Sequence, residues 1–309
     1  MEKRRFGCTG NEVSVVGFGG APIGILETQQ QQVARILNLL LDEGVNVIDT
    51  AAAYQGSEQA IGQAVAHRRD QYVLVSKCGE PGNPDSDEWK PEALKATVDR
   101  ALTRLRTDHL DVMLLHTCGL ELLRRGEVLE TLVRARQAGK VRHVGYSGDN
   151  EEAAYAAALP DVAVVETSLN ICDQANIDRV LPEARARNVA IIAKRPIANA
   201  AWKDLSEQPG FYQDYAENYT RRLARMDISP ADLGFEGDES DAWAELALRF
   251  TLSLPGVHTA IIGTTNPDHA RANLAAAAHG PLGQAAIQRI RDAFRHAESD
   301  SGKKWEGLT

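Results

Sequence analysis

Residues 44–58 read Gly44-Val-Asn-Val-Ile-Asp49-Thr-Ala-Ala-Ala-Tyr54-Gln-Gly-Ser57-Glu58. A mostly apolar run, Val45 to Ile48, is interrupted only by Asn46 and ends in the carboxylate of Asp49. The middle of a buried strand rarely tolerates a charge, so an ionisable residue closing such a run marks the strand's end. The design recurs. Tyr72-Val-Leu-Val-Ser leads to Lys77, and Leu110-Asp-Val-Met-Leu-Leu leads to His116. Three strand-like runs therefore deliver a carboxylate, an amine and an imidazole to equivalent positions. A closed parallel barrel would gather those positions around one mouth, where such folds carry their chemistry.

Outward from this stretch, the chain alternates. Residues 4–13 read as a hairpin that would plug the bottom of a barrel. Val13 to Gly20 reads as the first barrel strand, with glycines that admit a close backbone or ligand. Helix 28–43 follows, with Thr28 as the expected N-cap and Val33, Ile36, Leu37, Leu40 and Leu41 as its apolar stripe. Strands are expected at 45–50, 72–77, 110–116, 141–147, 162–168, 189–194 and 258–263. Helices are expected at 57–68, 91–106, 122–138, 150–158, 174–187, 241–253, 267–278 and 281–297. Pro91 suits a first helical turn.

Eight strand–helix units imply a parallel sheet closed into a (β/α)8 TIM barrel, one domain over residues 1–309, with an N-terminal β-hairpin and a long loop after strand seven. Periodicity also allows an open doubly wound sheet, but no G-x-G-x-x-G opens a helix here. The long segment, 196–240, holds Trp202, Phe211, Tyr212, Tyr215 and Tyr219. A structureless stretch of that length usually has a function. Part of it, 209–226, reads as helical. Two readings stand: an aromatic wall of a substrate pocket, or a surface excursion packed on itself.

Composition narrows the class. The 309 residues are 43% hydrophobic and 25% charged, as in an ordinary folded domain. A formal net charge of -9 argues against nucleic acid or an anionic membrane surface as a partner. No run approaches the roughly 20 apolar residues of a membrane span. The N-terminal stretch lacks an apolar h-region, so a secretory signal is not expected. Cys8, Cys78, Cys118 and Cys172 form no C-x-x-C pair, which leaves a metal centre without support and favours a reduced, cytoplasmic chain.

Five motifs in order resemble the aldo-keto reductase family: Gly44-Val-Asn-Val-Ile-Asp-Thr-Ala with Tyr54; Val75-Ser-Lys77; Leu114-Leu-His116; Val144-Gly-Tyr-Ser147; and Ile262-Gly-Thr-Thr-Asn-Pro-Asp-His-Ala-Arg-Ala-Asn273. Each is weak alone, but five in register span nearly the whole chain. The resemblance implies a (β/α)8 barrel binding a nicotinamide cofactor without a Rossmann fold. It also implies reduction of aldehyde or ketone carbonyls by hydride transfer, with a catalytic tetrad of Asp49, Tyr54, Lys77 and His116.

That set makes chemical sense by itself. Hydride delivery to a carbonyl carbon leaves an alkoxide that needs a proton. A phenol can supply it, but its unperturbed pKa is about 10. A neighbouring ammonium, Lys77, stabilises phenolate, and Asp49 keeps that ammonium charged. Tyr54 is then general acid, or base in the oxidative direction. His116 can donate a hydrogen bond to the substrate oxygen.

On the cofactor side the resemblance implies Gly20 and Ala21 under the nicotinamide ribose, beside Asp49, with Ser147 and Glu166 facing the carboxamide. The family commonly has Ser-Asn and Gln where this chain has Ser147-Gly148 and Glu166. It often has an aromatic where this chain has Lys194-Arg195-Pro196-Ile197. Lys194 or Arg195 could hold the pyrophosphate instead. Gly263, Thr264 and Thr265 would meet the adenosine end at a helix N-terminus, with Asn273 on adenine. His269 would be the residue near a 2′-phosphate, with Arg271 as a substitute. NADP(H) is the preferred cofactor and NAD(H) the alternative.

Three function classes follow. The first is an NADP(H)-dependent reductase of small-molecule carbonyls. The second is a nicotinamide-binding sensor or regulatory barrel without relevant turnover. The third is a hydrolase or lyase using Asp49 and Glu166 as paired carboxylates, or His116 on a metal. The intact tetrad favours the first.

Overall fold

A computed structural model describes residues 1–208 and 210–308; Pro209, Thr309 and the side chains of residues 210–212 and 215 lie outside the described set. Two short strands, β1 (Lys3–Arg5) and β2 (Glu12–Ser14), pair antiparallel. Eight more close into a parallel barrel: β3 (Val16–Gly19), β4 (Val47–Asp49), β5 (Val73–Cys78), β6 (Leu110–His116), β7 (Val141–Ser147), β8 (Val162–Ser168), β9 (Ala190–Lys194) and β10 (Thr259–Ile262). The sheet order runs β10-β3-β4-β5-β6-β7-β8-β9, so consecutive strands are neighbours and helices between them cover the outside. This is the (β/α)8 barrel with an N-terminal hairpin that the strand pattern predicts. Among the described residues no helix is long and apolar enough to cross a membrane.

The barrel interior is packed by side chains that alternate along the strands. Val47, Val73, Val75, Val112, Leu114, Val164, Ile192 and Ile261 form one cluster, and Phe6 and Val13 of the hairpin region join it. Each such buried aliphatic contributes about 1.5–3 kcal/mol. Phe6 is fully buried and stands edge-on to His258. The hairpin thus closes one end of the barrel and leaves the chemistry to the other.

Boundaries shift where local chemistry outweighs the periodic pattern. Val13 and Ser14 belong to the hairpin, not to the first barrel strand, because they pair antiparallel with Arg4 and Lys3 of β1. The first outer helix starts at Gln30, and Thr28 is not its cap; the Thr28 hydroxyl donates to Pro22 O instead. A short helix, Ala21–Ile25, precedes it. The expected helix 122–138 is two, Leu120–Arg125 and Glu127–Gln137, split at Gly126 in the left-handed conformation. The expected 174–187 helix is also two, the second starting at Leu181 with Pro182 in its first turn.

The long segment after β9 is not structureless. Its core is the helix Gly210–Leu223. Trp202 stacks on Trp243 at 6.1 Å, and Tyr219 is fully buried. The side chains of Phe211, Tyr212 and Tyr215, read either as a pocket wall or as a self-packed surface excursion, lie outside the described residues.

Candidate active site

Strand register sets the height of each group at the mouth. Asp49 closes β4 opposite Val75, so Lys77 stands two residues further along β5. Lys77 pairs with Leu114, and His116 again stands two residues further along β6. His116 aligns with Ser147, and Ser147 with Glu166. Since alternate residues share a face, Asp49, Lys77, His116, Ser147 and Glu166 rise around one rim.

The centre of the rim is an ion cluster. Lys77 Nζ lies 2.6 Å from both carboxylate oxygens of Asp49, 3.1 Å from the Thr50 carbonyl and 3.2 Å from Glu166 Oε2. Lys77 has no exposed surface, Asp49 is 1% exposed and Glu166 2%. Burial works against the Lys77 charge, but Asp49 and Glu166 outweigh it and hold the ammonium above the ordinary lysine value. Burial and then the Glu166 charge push the Asp49 carboxyl well above the usual carboxylate range, against the pull of Lys77. Ser147 Oγ donates to Glu166 Oε1 at 3.3 Å, while the buried Oε2 accepts no hydrogen bond.

Tyr54 is carried by a turn that the backbone pins to this cluster. Ala52 N–H donates to Lys77 O, Tyr54 N–H to Ala51 O, and Ser57 N–H to Tyr54 O. Ser57 Oγ, paired with Thr50 Oγ1, donates to Gly20 O and ties the turn's far end to the end of β3. The Lys77 ammonium lies 5.3 Å from the Tyr54 ring centroid, and His116 stands edge-on to the same ring at 5.8 Å. Burial, then the charges of Lys77 and Lys194, hold the His116 imidazole well below the ordinary histidine value, so it is neutral near pH 7. His116 Nδ1 is buried without a hydrogen-bond partner.

One contributor went unnoticed in the sequence. A Cβ on Gly24 would lie 2.3 Å from Gln55 O and 2.9 Å from Tyr54 C. The helix Ala21–Ile25 therefore abuts the Tyr54 turn only because residue 24 lacks a side chain. Gly20 ends a run whose glycines are expected to admit a close backbone or a ligand, and the backbone does approach: a Cβ there would meet Asp49 O at 2.8 Å and Ser57 Oγ at 2.9 Å.

The opposite half of the mouth is held by internal pairing. Lys194 forms an ion pair with Asp149 at 3.1 Å, and Arg195 donates to the Leu308 carbonyl. Leu308 N–H donates to Asp173 Oδ2, Ser168 Oγ donates to Leu308 O, and Gly307 exchanges hydrogen bonds with Asn150. The segment Trp305–Leu308 is thus stitched across the ends of β7, β8 and β9. Gly263, Thr264 and Thr265 leave β10 for the helix Pro267–Ala278, whose start is capped by Asn266. Asn273 is half-buried on that helix, Ala21 is half-buried just past the end of the neighbouring β3, and His269 is exposed. Arg271, the alternative to His269, is paired with Asp268 at 3.1 Å. Among the described residues no group of three or more His, Cys, Asp or Glu is placed to hold a metal ion.

Comparison with known proteins bears on this geometry. The model of the aldo/keto reductase family matches residues 15–295. An uncharacterised oxidoreductase of Bacillus subtilis, YqkF, is 25% identical over 319 residues, covering 97% of this chain and 98% of that one. L-galactose dehydrogenase of Arabidopsis thaliana is 25% identical over 293 residues, covering 89% and 88%. A solved aldo-keto reductase of Bacillus halodurans, in its holo form, superposes with a TM-score of 0.75 at 25% identity, covering 95% of this chain and 96% of that one.

Proposed function

The chain belongs to the aldo/keto reductase family of oxidoreductases, and on that premise we propose that it reduces aldehyde or ketone carbonyls to alcohols with NADP(H) as cofactor. The observation that carries this reading is the convergence of Asp49, Lys77, Tyr54 and His116, from three strands and one turn, on a single rim. The third reading, a hydrolase or lyase, would want its carboxylates open to substrate. Here both are spent on one lysine.

The residues fit a nicotinamide dinucleotide. His116 Nδ1 is a buried polar atom with no hydrogen-bond partner in the structure, a place for a ligand's polar group. Ser147 and Glu166 would hold the carboxamide, Gly20 and Ala21 the adjoining ribose, and Thr264, Thr265 and Asn273 the adenosine end. Lys194 and Arg195 could reach a pyrophosphate only by sharing it with their present partners, Asp149 and Leu308. The cofactor, when bound, supplies the hydride.

The chain's own residues handle the proton. Tyr54 donates its phenolic proton to the oxygen of the reduced carbonyl, and the phenolate left behind is stabilised by the ammonium 5.3 Å from its ring centre. A phenol about 10 in unperturbed pKa becomes a competent acid near neutrality only with such a cation. Asp49 and Glu166 keep Lys77 charged throughout. His116, neutral and rigidly packed on Tyr54, orients the carbonyl oxygen, and needs no desolvation of its own charge to do so.

The test is a titration of NADPH and NADH against the protein by nucleotide fluorescence, followed by a panel of activated aldehydes and ketones. Saturable binding with carbonyl-dependent oxidation of the nucleotide is expected. Tight binding with no turnover on any carbonyl would leave the sensor reading in its place.

A further inference from the structure

Where the chain carries Glu166, the related family pattern has a neutral amide, and the substitution changes the charge count of the site. Two carboxylates, Asp49 and Glu166, lie within 3.2 Å of one ammonium, and all three groups are at most 2% exposed. With both carboxylates ionised the cluster would hold an unbalanced buried negative charge, which is costly. Among the described residues no second cation forms an ion pair with either carboxylate. From β6 the facing group is His116, a neutral imidazole. From β9 it is Lys194, whose charge is met by Asp149 from the turn after β7. From β7 it is the Ser147 hydroxyl, and from the turn after β4 the Tyr54 phenol. Behind the barrel wall, Glu58 is balanced separately by Arg104.

We propose that Asp49 and Glu166 hold one proton between them in the resting site, and that this proton leaves when a cationic, oxidised nicotinamide ring is seated at the mouth but stays when the neutral, reduced ring is. The inference rests on the reading that the mouth takes a nicotinamide cofactor. The resting cluster then balances one ammonium against one shared negative charge. An arriving cation makes the second negative charge favourable, and the proton goes to solvent. Binding of oxidised cofactor is therefore linked to pH in a way that binding of reduced cofactor is not. A glutamine at residue 166 could not do this, because Asp49 alone already balances Lys77.

Isothermal titration calorimetry of the whole chain with NADP+ and with NADPH, each in two buffers of different ionisation enthalpy, counts the protons exchanged. The 2′-phosphate contributes equally to both nucleotides, so their difference isolates the ring. Wild type is expected to release about one proton more on binding NADP+ than on binding NADPH. Glu166→Gln is expected to lose that difference and to weaken NADP+ relative to NADPH by about tenfold. Equal proton counts for the two nucleotides in wild type, or an unchanged difference in Glu166→Gln, would overturn the inference alone. Failure of both nucleotides to bind wild type would overturn the functional reading and this inference with it. Should Glu166→Gln not fold, the wild-type pH series decides: the affinity ratio must tilt toward NADP+ as pH rises, and a flat ratio overturns the idea.

Discussion

Lys77 and Asp49 form a two-pronged ion pair, with Nζ 2.6 Å from each carboxylate oxygen and neither residue more than 1% exposed. A pair so buried is weak evidence of net stability, but removing one partner leaves the other charge stranded. Here Glu166 would be stranded as well. Lys77→Met should therefore cost about 3–5 kcal/mol of unfolding free energy at neutral pH, and abolish turnover. Adding Asp49→Asn and Glu166→Gln to the same chain should restore most of the stability and none of the activity. Urea unfolding separates the two effects. A single Lys77→Met variant as stable as wild type would mean that the cluster is already neutral without the ammonium.

Tyr54→Phe removes the phenolic oxygen and keeps the ring that packs edge-on to His116. Carbonyl reduction should fall by about 10²–10⁴ in kcat, the usual worth of a general acid. NADPH affinity should stay near wild type, since the ring's packing is intact and, on the proposed reading, the phenol's part is the proton transfer. Parallel loss of nucleotide binding would contradict the acid role and assign Tyr54 to the cofactor.

How much of this was legible in the chain depends on which force sets each feature. The strands 110–116, 141–147 and 162–168 have the expected bounds; 110–116 and 162–168 are buried along their whole length and mostly apolar, as buried parallel strands are, while 141–147 keeps its place despite an exposed Arg142. Asp49, Lys77 and His116 were readable as strand-ending ionisable groups for the same reason. The role of Glu166 as a second partner of Lys77 was not readable. It depends on barrel stagger, which places residues from β5 and β8 within reach across the lumen. Gly24 was hidden too. Its lack of a side chain matters only once two segments about thirty residues apart touch, and nothing in local propensity records that contact. The stitching of Leu308 to Arg195, Ser168 and Asp173 is likewise a product of tertiary packing.

Gly24→Ala tests the packing that sets the Tyr54 turn. The new methyl would be placed 2.3 Å from Gln55 O, against backbone that cannot rotate away. The turn must shift, and a displacement of about 1 Å in a catalytic group costs on the order of 10²-fold in rate. Reduced kcat with a modest fall in Tm is the expected result, with NADPH affinity little changed. Wild-type kcat in a folded Gly24→Ala variant would show that Tyr54 is not held by the helix Ala21–Ile25.

His269 is exposed on the helix Pro267–Ala278, and its neighbour Arg271 is tied to Asp268. If His269 meets the 2′-phosphate, His269→Ala should weaken NADPH severalfold and leave NADH unchanged, the usual scale for one exposed charge-assisted contact. Fluorescence titration with both nucleotides reads this directly. Equal weakening of the two would remove His269 from the 2′-phosphate site.

Asp173 supplies a pH dependence of the fold itself. Its carboxyl is fully buried beneath the segment Trp305–Leu308, accepting from Tyr219 Oη and Leu308 N–H through Oδ2, while Oδ1 has no hydrogen-bond partner. Burial, then the neighbouring Asp149 charge, push it from the ordinary aspartate range up to about 7. A carboxyl raised on folding binds more protons native than unfolded, so its contribution is full below the unfolded value and is lost as pH rises to the folded one. Stability should therefore fall between about pH 4 and pH 7 by at most about 4 kcal/mol from this group. Asp149 works the other way: against its burial, Lys194 and hydrogen bonds hold its carboxyl low, so its window lies below this one. Asp49 is raised as well, but it is common to wild type and variant. Asp173→Asn keeps an acceptor for Tyr219 and Leu308 and cannot ionise. Its unfolding free energy, followed by urea denaturation across that window, should be flatter than wild type, the two curves diverging most above pH 7. Parallel curves would mean that Asp173 is ionised throughout, with its charge met by Arg222, whose Nη1 lies 4.0 Å from Oδ1.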